Sequence, residues 1–432
     1  MNHVKYDIPY SGIFFVFIIF CVGTIKNKPN YAILVLWNIY SITYAIAKKS
    51  LLNGKFSKIV MERTSNVKKT KVGIIFGGKS AEHEVSLQSA KNIVDAINKE
   101  KYDVVLIGID KEGKWHLNDQ SSYLLDANNP KLIALNKSND NVAIVPGTSE
   151  NQLIHAEDAV SLEQLDVVFP IVHGTLGEDG SLQGMLRMAN LPFVGPSVLG
   201  SSVCMDKDIA KRLLSAAGIR VAKGITVKRP NKDNLNFEEV SGMLGTPMFI
   251  KPANQGSSVG VSKVKNEEEF KAAIESAFQY DHKVVIEENI VGREVECAVL
   301  GNDKPIASIP GEILPNTDFY SYESKYIDEK GADLAIPADL TEEQVKKVQE
   351  AAIEAFKTLE CEGLARVDFF LTENNELYIN EVNTLPGFTK ISMYPKLWEI
   401  SGIPYSELIS RLIDLAIERH ENDAKLKSTV WE

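Results

Sequence analysis

Asp368 and Glu381 lie in two apolar runs, 364–371 and 376–382, separated by the polar stretch 372–375, and Asn383 directly follows the second. Such runs around a Thr-Glu-Asn-Asn break predict two paired strands. Side chains two apart on a strand share a face. Arg366 and Asp368 therefore point the same way, and so do Glu381 and Asn383 if the second strand runs that far. Two acids and a carboxamide converging from paired strands offer oxygen ligands only. That set suits Mg²⁺, a hard ion that also takes phosphate oxygens. Pro386-Gly387 follows at once, and a turn there brings bare backbone close to whatever the metal holds. A solvated hairpin with scattered charges is the plainer alternative, and the pattern D-x-F…E-x-N alone does not exclude it.

Other charged residues sit where elements begin or end. Residues 206–218 read as a helix capped by Asp206 and stopped by Gly218. Lys207, in its first turn, opposes the helix dipole, so a bound anion explains it better than helix stability does. Lys251 leaves an apolar run into Asn254-Gln255-Gly256-Ser257-Ser258-Val259-Gly260. One fixed cation beside hydroxyl and N–H donors, those of Ser257 and Ser258 among them, suits a triphosphate, and a polar hairpin loop fits the loop equally well. Glu287 and Glu288 end the strand 284–288, and Glu294 follows a turn at Gly292. Such acids can accept from an adenine amino group and ribose hydroxyls, or stand as exposed strand-end charges. The stretch 319–330, with three tyrosines and Lys325, has no clean period and reads as a lid over an anionic site, with a plain solvated loop as the alternative.

The positioning elements begin with the apolar run 72–76, which ends in Gly77-Gly78 and is followed by a helix from about Ala81. Leu87, Ala90, Val94 and Ile97 give that helix one buried face. Runs at 104–109, 142–145 and 167–172 are further strands, and alternation with helices predicts a parallel sheet with helices packed on it. Ligands bind such sheets where the strands end. Glu82 in the first helical turn is either a partner of the helix dipole or a carboxylate for a substrate ammonium. His173, between a strand end and a glycine-rich loop, leans towards function. One motif competes with this layout. Gly73 to Ser80 satisfies G-x-x-x-x-G-K-[ST], with Asp110 where a Walker B acid would stand. The pattern needs a loop between its glycines, whereas Ile74, Ile75 and Phe76 continue a strand.

The chain has 432 residues, is 44% hydrophobic and 24% charged, and carries a net charge of −11. Its length allows two or three domains, and its charge argues against nucleic acid as a partner. Cys21, Cys204, Cys297 and Cys361 are far apart, which suits a reducing compartment and no zinc site. Residues 1–60 hold seven lysines and the single acid Asp7, with apolar runs at 13–22 and 31–47. A membrane span needs about twenty apolar residues, so the segment reads as a weak membrane anchor or as a dispensable extension before Met61.

Taken together, the motifs resemble the D-alanine–D-alanine ligases of the ATP-grasp superfamily over residues 70–425. They are G-G-K-S-A-E-H-E-V-S-L at 77–87, H-G-T-L-G-E-D-G-S-L-Q-G at 173–184, C-M-D-K at 204–207 and K-P-A-N-Q-G-S-S-V-G at 251–260. F-Y-S-Y-E-S-K-Y at 319–326, R-V-D-F-F from Arg366 and N-E-V-N-T-L-P-G-F-T from Asn380 complete the set. The resemblance implies an α/β, α+β multi-domain chain with the ATP-grasp fold. Its divisions would be an extension (1–66), a parallel α/β substrate domain (67–195), two ATP-grasp subdomains (196–290 and 291–425) and a tail (426–432). It implies ATP with two Mg²⁺ or Mn²⁺ on Asp368, Glu381 and Asn383, phosphate contacts by Lys207, Lys251, Ser258 and Lys325, and adenosine contacts by Glu287 and Glu294. Glu82, Ser257 and Tyr326 would form a hydrogen-bonded trio at the first D-alanine, near His173. Arg366 and the Gly387 N–H would face an oxyanion, and Ser392 and Met393 would line the second D-alanine site. The lid tyrosine, Tyr326, implies a dipeptide product in place of a D-lactate ester. A cytoplasmic homodimer is the expected setting, with any membrane contact confined to residues 1–60.

Overall fold

Three larger sheets organise the chain. The computed structural model describes residues 68–147, 150–162, 164–315, 332–389, 391–427 and 429–430, with Lys69–Glu432 forming one compact unit. Residues 1–60, Lys325 and Tyr326 lie outside the described residues.

The first sheet has the order β3-β2-β1-β4, with β1 Thr70–Gly77, β2 Tyr102–Ile109, β3 Trp115–Asn118 and β4 Val167–Ile171. β1 pairs in parallel with β2 and β4, while β3 runs antiparallel at the edge. The parallel core is as expected, because Val72, Ile74, Ile75 and Phe76 are all fully buried, as strands covered on both faces require. Gly73 lies inside β1, so the glycine-lysine-serine pattern has no phosphate loop. Asp110 is spoken for as well: Oδ1 accepts from Glu112 N and Lys114 N, and Oδ2 lies 3.1 Å from His116 Nε2 and 3.2 Å from Lys137 Nζ. Its carboxylate staples a turn.

Helix α1 (His83–Ala96) packs Leu87, Ala90, Ile93 and Val94 on this sheet, and α2 (Ser181–Met188) follows the 173–180 loop. Next come α3 (Val198–Met205) and α4 (Lys207–Ala216). Asp206 caps α4 by accepting from Ile209 N, as its position before the helix implied.

The second sheet is antiparallel, in the order β7-β6-β8-β5: β5 Gly224–Lys228, β6 Met248–Pro252, β7 Ser262–Val264 and β8 Lys283–Glu288. Helix α5 (Glu267–Tyr280) covers it with Phe270, Ile274, Ala277 and Phe278. β5 starts only at Gly224, and Val221 before it makes an isolated bridge to Ile379.

The third sheet is antiparallel and has six strands, five of them in the order β11-β10-β9-β12-β13. These are β9 Arg293–Gly301, β10 Gly311–Pro315, β11 Ala332–Ala335, β12 Gly363–Leu371 and β13 Leu377–Asn383. Helix α6 (Glu342–Thr358) packs Val348, Ala352 and Phe356 behind it. The chain ends with α7 (Met393–Ile400) and α8 (Tyr405–Asp423). Leu408, Ile409, Leu412 and Ile413 of α8 join the same core as Val72 and Ile74 of β1 and Phe169 of β4.

Arg419 of α8 ties these parts together. Its guanidinium is buried over the Phe193 ring, 4.4 Å from the centroid. It donates to Phe193 O at 2.7 Å, to Gly195 O, and to Glu362 Oε2 at 3.3 Å. Charge-assisted bonds in a buried setting are worth roughly 1.5–3 kcal/mol each, with incomplete additivity. Arg419→Ala should therefore lower stability by about 3 kcal/mol in urea unfolding, and a loss under about 1 kcal/mol would refute this role.

Candidate active site

The hairpin β12–β13 brings its polar side chains together by register. Asp368 stands opposite Glu381 and Arg366 opposite Asn383, with an irregularity between Asp368 and Phe369. Arg366 grips Asp368 with two bonds of 2.7 Å, and its Nε lies 2.9 Å from Glu296 Oε2. Asn383 donates Nδ2 to Asp368 Oδ2 at 2.9 Å, which leaves its carboxamide oxygen as an acceptor. Among the described residues no group of three or more His, Cys, Asp and Glu is placed to hold a metal. The set is two carboxylates and a carboxamide, an all-oxygen chemistry that fits Mg²⁺ or Mn²⁺.

One lysine meets Glu381 and two more meet Glu287. Lys207 Nζ lies 3.3 Å from Glu381 Oε2 and donates to Gln255 O at 2.7 Å. Lys251 Nζ lies 2.9 Å from Glu287 Oε2. Lys211, one helical turn beyond Lys207, pairs with the other Glu287 oxygen. Burial opposes the Glu287 charge, yet Lys211 and Lys251 together hold its carboxyl down at about 2. Burial also opposes the Lys251 charge, but Glu287, Glu381 and Glu294 outweigh it and raise its ammonium above the ordinary range. Burial wins at Lys211, which falls to about 8. Ser257 and Ser258 both adopt left-handed backbone, with φ of 50° and 62°.

The first sheet supplies the opposite wall. Gly77 and Gly78 take φ of 86° and 105°, which non-glycine residues rarely adopt. The turn is fixed by Ser86, which accepts from Gly77 N and donates to Ile171 O, and by His83 Nδ1, 2.8 Å from Gly78 O. Glu82 is buried at the N-cap of α1 and accepts from Ser257 Oγ, a bond that joins the first sheet to the β6–β7 loop. A Cβ on Gly174 would stand 2.6 Å from Glu82 Oε2, so the 173–180 loop approaches that carboxylate with bare backbone. Glu178 in the same loop accepts from Gly174 N at 2.7 Å and Leu385 N at 3.1 Å. Burial, with repulsion from Glu82 and Glu381, pushes it up to about 8.

His173 is buried, and both ring nitrogens are used: Nδ1 lies 2.9 Å from Leu385 O and Nε2 2.9 Å from Ser89 Oγ. Burial lowers it to about 4. Ser392 accepts from Thr389 N at 3.0 Å, while Met393 is buried in the core beside Gly311. Sequence reasoning missed Lys211, Glu178, Glu296 and Ser89. The first was signalled by its i+4 spacing from Lys207 and the third by its i+2 spacing from Glu294. Glu178 and Ser89 carried no local signal beyond their neighbours.

Family models described as D-ala D-ala ligase N-terminus and D-ala D-ala ligase C-terminus match residues 71–196 and 213–414. The chain belongs to the D-alanine–D-alanine ligase family. A D-alanine–D-alanine ligase from Oceanobacillus iheyensis is 67% identical over 361 residues, covering 84% of this chain and 99% of that protein. The D-alanine-D-alanine ligase structure from Coxiella burnetii aligns with a TM-score of 0.72 at 40% identity, covering 83% of this chain and 97% of that one. The VanG D-Ala:D-Ser ligase from Enterococcus faecalis aligns at 0.71 and 39% identity, covering 81% of this chain and all of that one. The fold is thus of the ATP-grasp class.

An imidazole held neutral by burial favours the native state at pH values above its ordinary 6.5. That contribution is lost as the pH falls through about 4. His173→Gln should therefore flatten the melting temperature against pH between 6.5 and 4. Equal slopes for variant and parent would place the acid sensitivity elsewhere.

Proposed function

We propose that the chain uses ATP to join two D-alanines into D-alanyl-D-alanine for peptidoglycan precursors, in the cytoplasm and as a homodimer. One observation carries the reading: charged groups from all three sheets converge. Ser257 binds Glu82, Glu178 feels both Glu82 and Glu381, and Lys207 reaches from Glu381 to the 251–260 loop. Relatives named D-alanine–D-alanine ligase support it at 61–68% identity.

A carboxylate resists attack by an amine, so the first step makes it reactive. A carboxylate oxygen of the first D-alanine attacks the γ-phosphorus of ATP, and the bond to ADP breaks. The amine of the second D-alanine then attacks the acyl phosphate carbon. The carbon–nitrogen bond forms, the carbonyl electrons move onto oxygen, and collapse expels phosphate as the amine loses its proton.

Glu82, oriented by Ser257, receives the first ammonium, a role that Tyr326 of the lid would share. Lys207 and Lys251 offset phosphate charge, and Ser258 and Lys325 complete the phosphate contacts. Glu287 and Glu294 take adenosine. Arg366 and the Gly387 N–H face the oxyanion, where fixed donors contribute most. Ser392, with Met393 behind it, borders the second D-alanine. Two Mg²⁺ or Mn²⁺ on Asp368, Glu381 and Asn383 would draw charge from the phosphates.

Lys251→Ala should reduce D-alanine-dependent ADP release by at least roughly 100-fold, whereas Lys79→Ala, an exposed position, should leave it within about twofold. The reverse pattern would restore the phosphate-loop reading.

Glu178, raised to about 8, holds a proton at neutral pH and attracts an ammonium only without it. The KM for the first D-alanine should accordingly fall as pH rises from 6.5 towards 8.5. Glu178→Gln should abolish that trend, and a trend that survives the substitution would free Glu178 of the role.

A further inference from the structure

The turn 385–389 is held by side chains from several elements. Leu385 N donates to Glu178 Oε1 at 3.1 Å, and Leu385 O is 2.9 Å from His173 Nδ1. Phe388 N donates to Ser89 Oγ at 3.2 Å, and Phe388 O accepts from Tyr405 at 2.8 Å and from Asn92 at 3.3 Å. Thr389 N donates to Ser392 Oγ at 3.0 Å. Pro386 has no N–H. Among the described residues, the one N–H of this turn without a protein partner is that of Gly387.

The polarity of the bonds is fixed. A carbonyl only accepts, so Nδ1 of the neutral His173 ring carries the hydrogen given to Leu385 O. Nε2 then accepts, and its donor is the Ser89 hydroxyl, 2.9 Å away. That hydroxyl oxygen in turn accepts from Phe388 N. The peptide plane bearing the Gly387 N–H is therefore bracketed. The plane before it is pinned by His173, the plane after it by Ser89, and these two side chains bind each other. Ser89 is fully buried on α1, and His173 follows β4.

We propose that Ser89, acting through its bond to His173, is a positioning residue that aims the Gly387 N–H at the oxyanion of the peptide-forming step. The proposal rests on the oxyanion role given to Gly387 above. Orientation counts here because a donor stabilises developing charge only when already aimed at it. A side chain at 387 would also collide with Ser392, its Cβ lying 2.8 Å from Oγ, so the turn has little room to re-aim.

The test compares the full chain with Ser89→Ala, which removes one oxygen and leaves a strong helix former. Expected is a roughly 10- to 100-fold fall in kcat with the KM for ATP and for the first D-alanine within about twofold. Binding of a dipeptide phosphinate, a tetrahedral mimic of the intermediate, should weaken in proportion to kcat. Ser89→Thr, which keeps the hydroxyl, should recover most of the rate. Nitrogen-15 spectroscopy of the wild-type chain should find His173 protonated on Nδ1.

Unchanged kcat in Ser89→Ala, a parallel loss of kcat and all affinities, or a ring protonated on Nε2 would each overturn the positioning role. Wild-type protein with no D-alanine-dependent ADP release would instead overturn the function on which the proposal stands.

Discussion

Charge taken out of water must be matched, and the pairing of Lys211 and Lys251 with Glu287 is the constraint around which this site is built. The glutamate is next to last in β8, one lysine belongs to β6 and the other to α4, so three elements must arrive together for any of them to be tolerable. Lys207 with Glu381, and Arg366 with Asp368 and Glu296, repeat the arrangement across the third sheet. A ligand that enters must draw these cations from carboxylates that already hold them. Only a multiply charged anion, arriving with counter-charge for the acids, does so without leaving a buried charge alone. The resting ion pairs thus suit the nucleotide polyphosphate and metal proposed for this site.

Backbone geometry decides where those side chains stand. Antiparallel pairing of β12 and β13 sets Asp368 against Glu381, and a one-residue slip would turn both away from their partners. On the opposite wall, parallel β1 and β4 end at Gly77 and Ile171, where glycine-rich loops begin and side chains from two strand ends converge. The Glu82–Ser257 bond is the stitch between these walls.

Much of this was legible because it is local. The hairpin 364–382, the Asp206 cap and the buried face of α1 follow from spacing alone, and Arg366 and Asp368 share a face as two residues apart on a strand must. The phosphate-loop pattern shows the converse: it fits as a string but fails as chemistry, since its spacer is strand and Asp110 is occupied by its own turn. Lys211 and Glu178 escaped because their roles arise between elements distant in sequence, Lys211 with Glu287 and Glu178 with Leu385. The edge strand Trp115–Asn118 escaped because four residues are too few to display a period. His173 was located but not its bonding: its place at a strand end suggested function, and the structure adds that both ring nitrogens are bonded within the protein.

The packing of α8 on the first sheet has a consequence for how the molecule is made. Val72, Ile74 and Phe169 belong to strands synthesised well before Leu408, Ile409, Leu412 and Ile413, which complete their core. Chains emerge from the N-terminal end, and exposed apolar surface invites aggregation until it is covered. The first sheet therefore waits, its core incompletely covered, until α8 has been made. The nascent chain is exposed to aggregation over that interval, and a product lacking α8 would hold every strand of the three sheets but could not close its core.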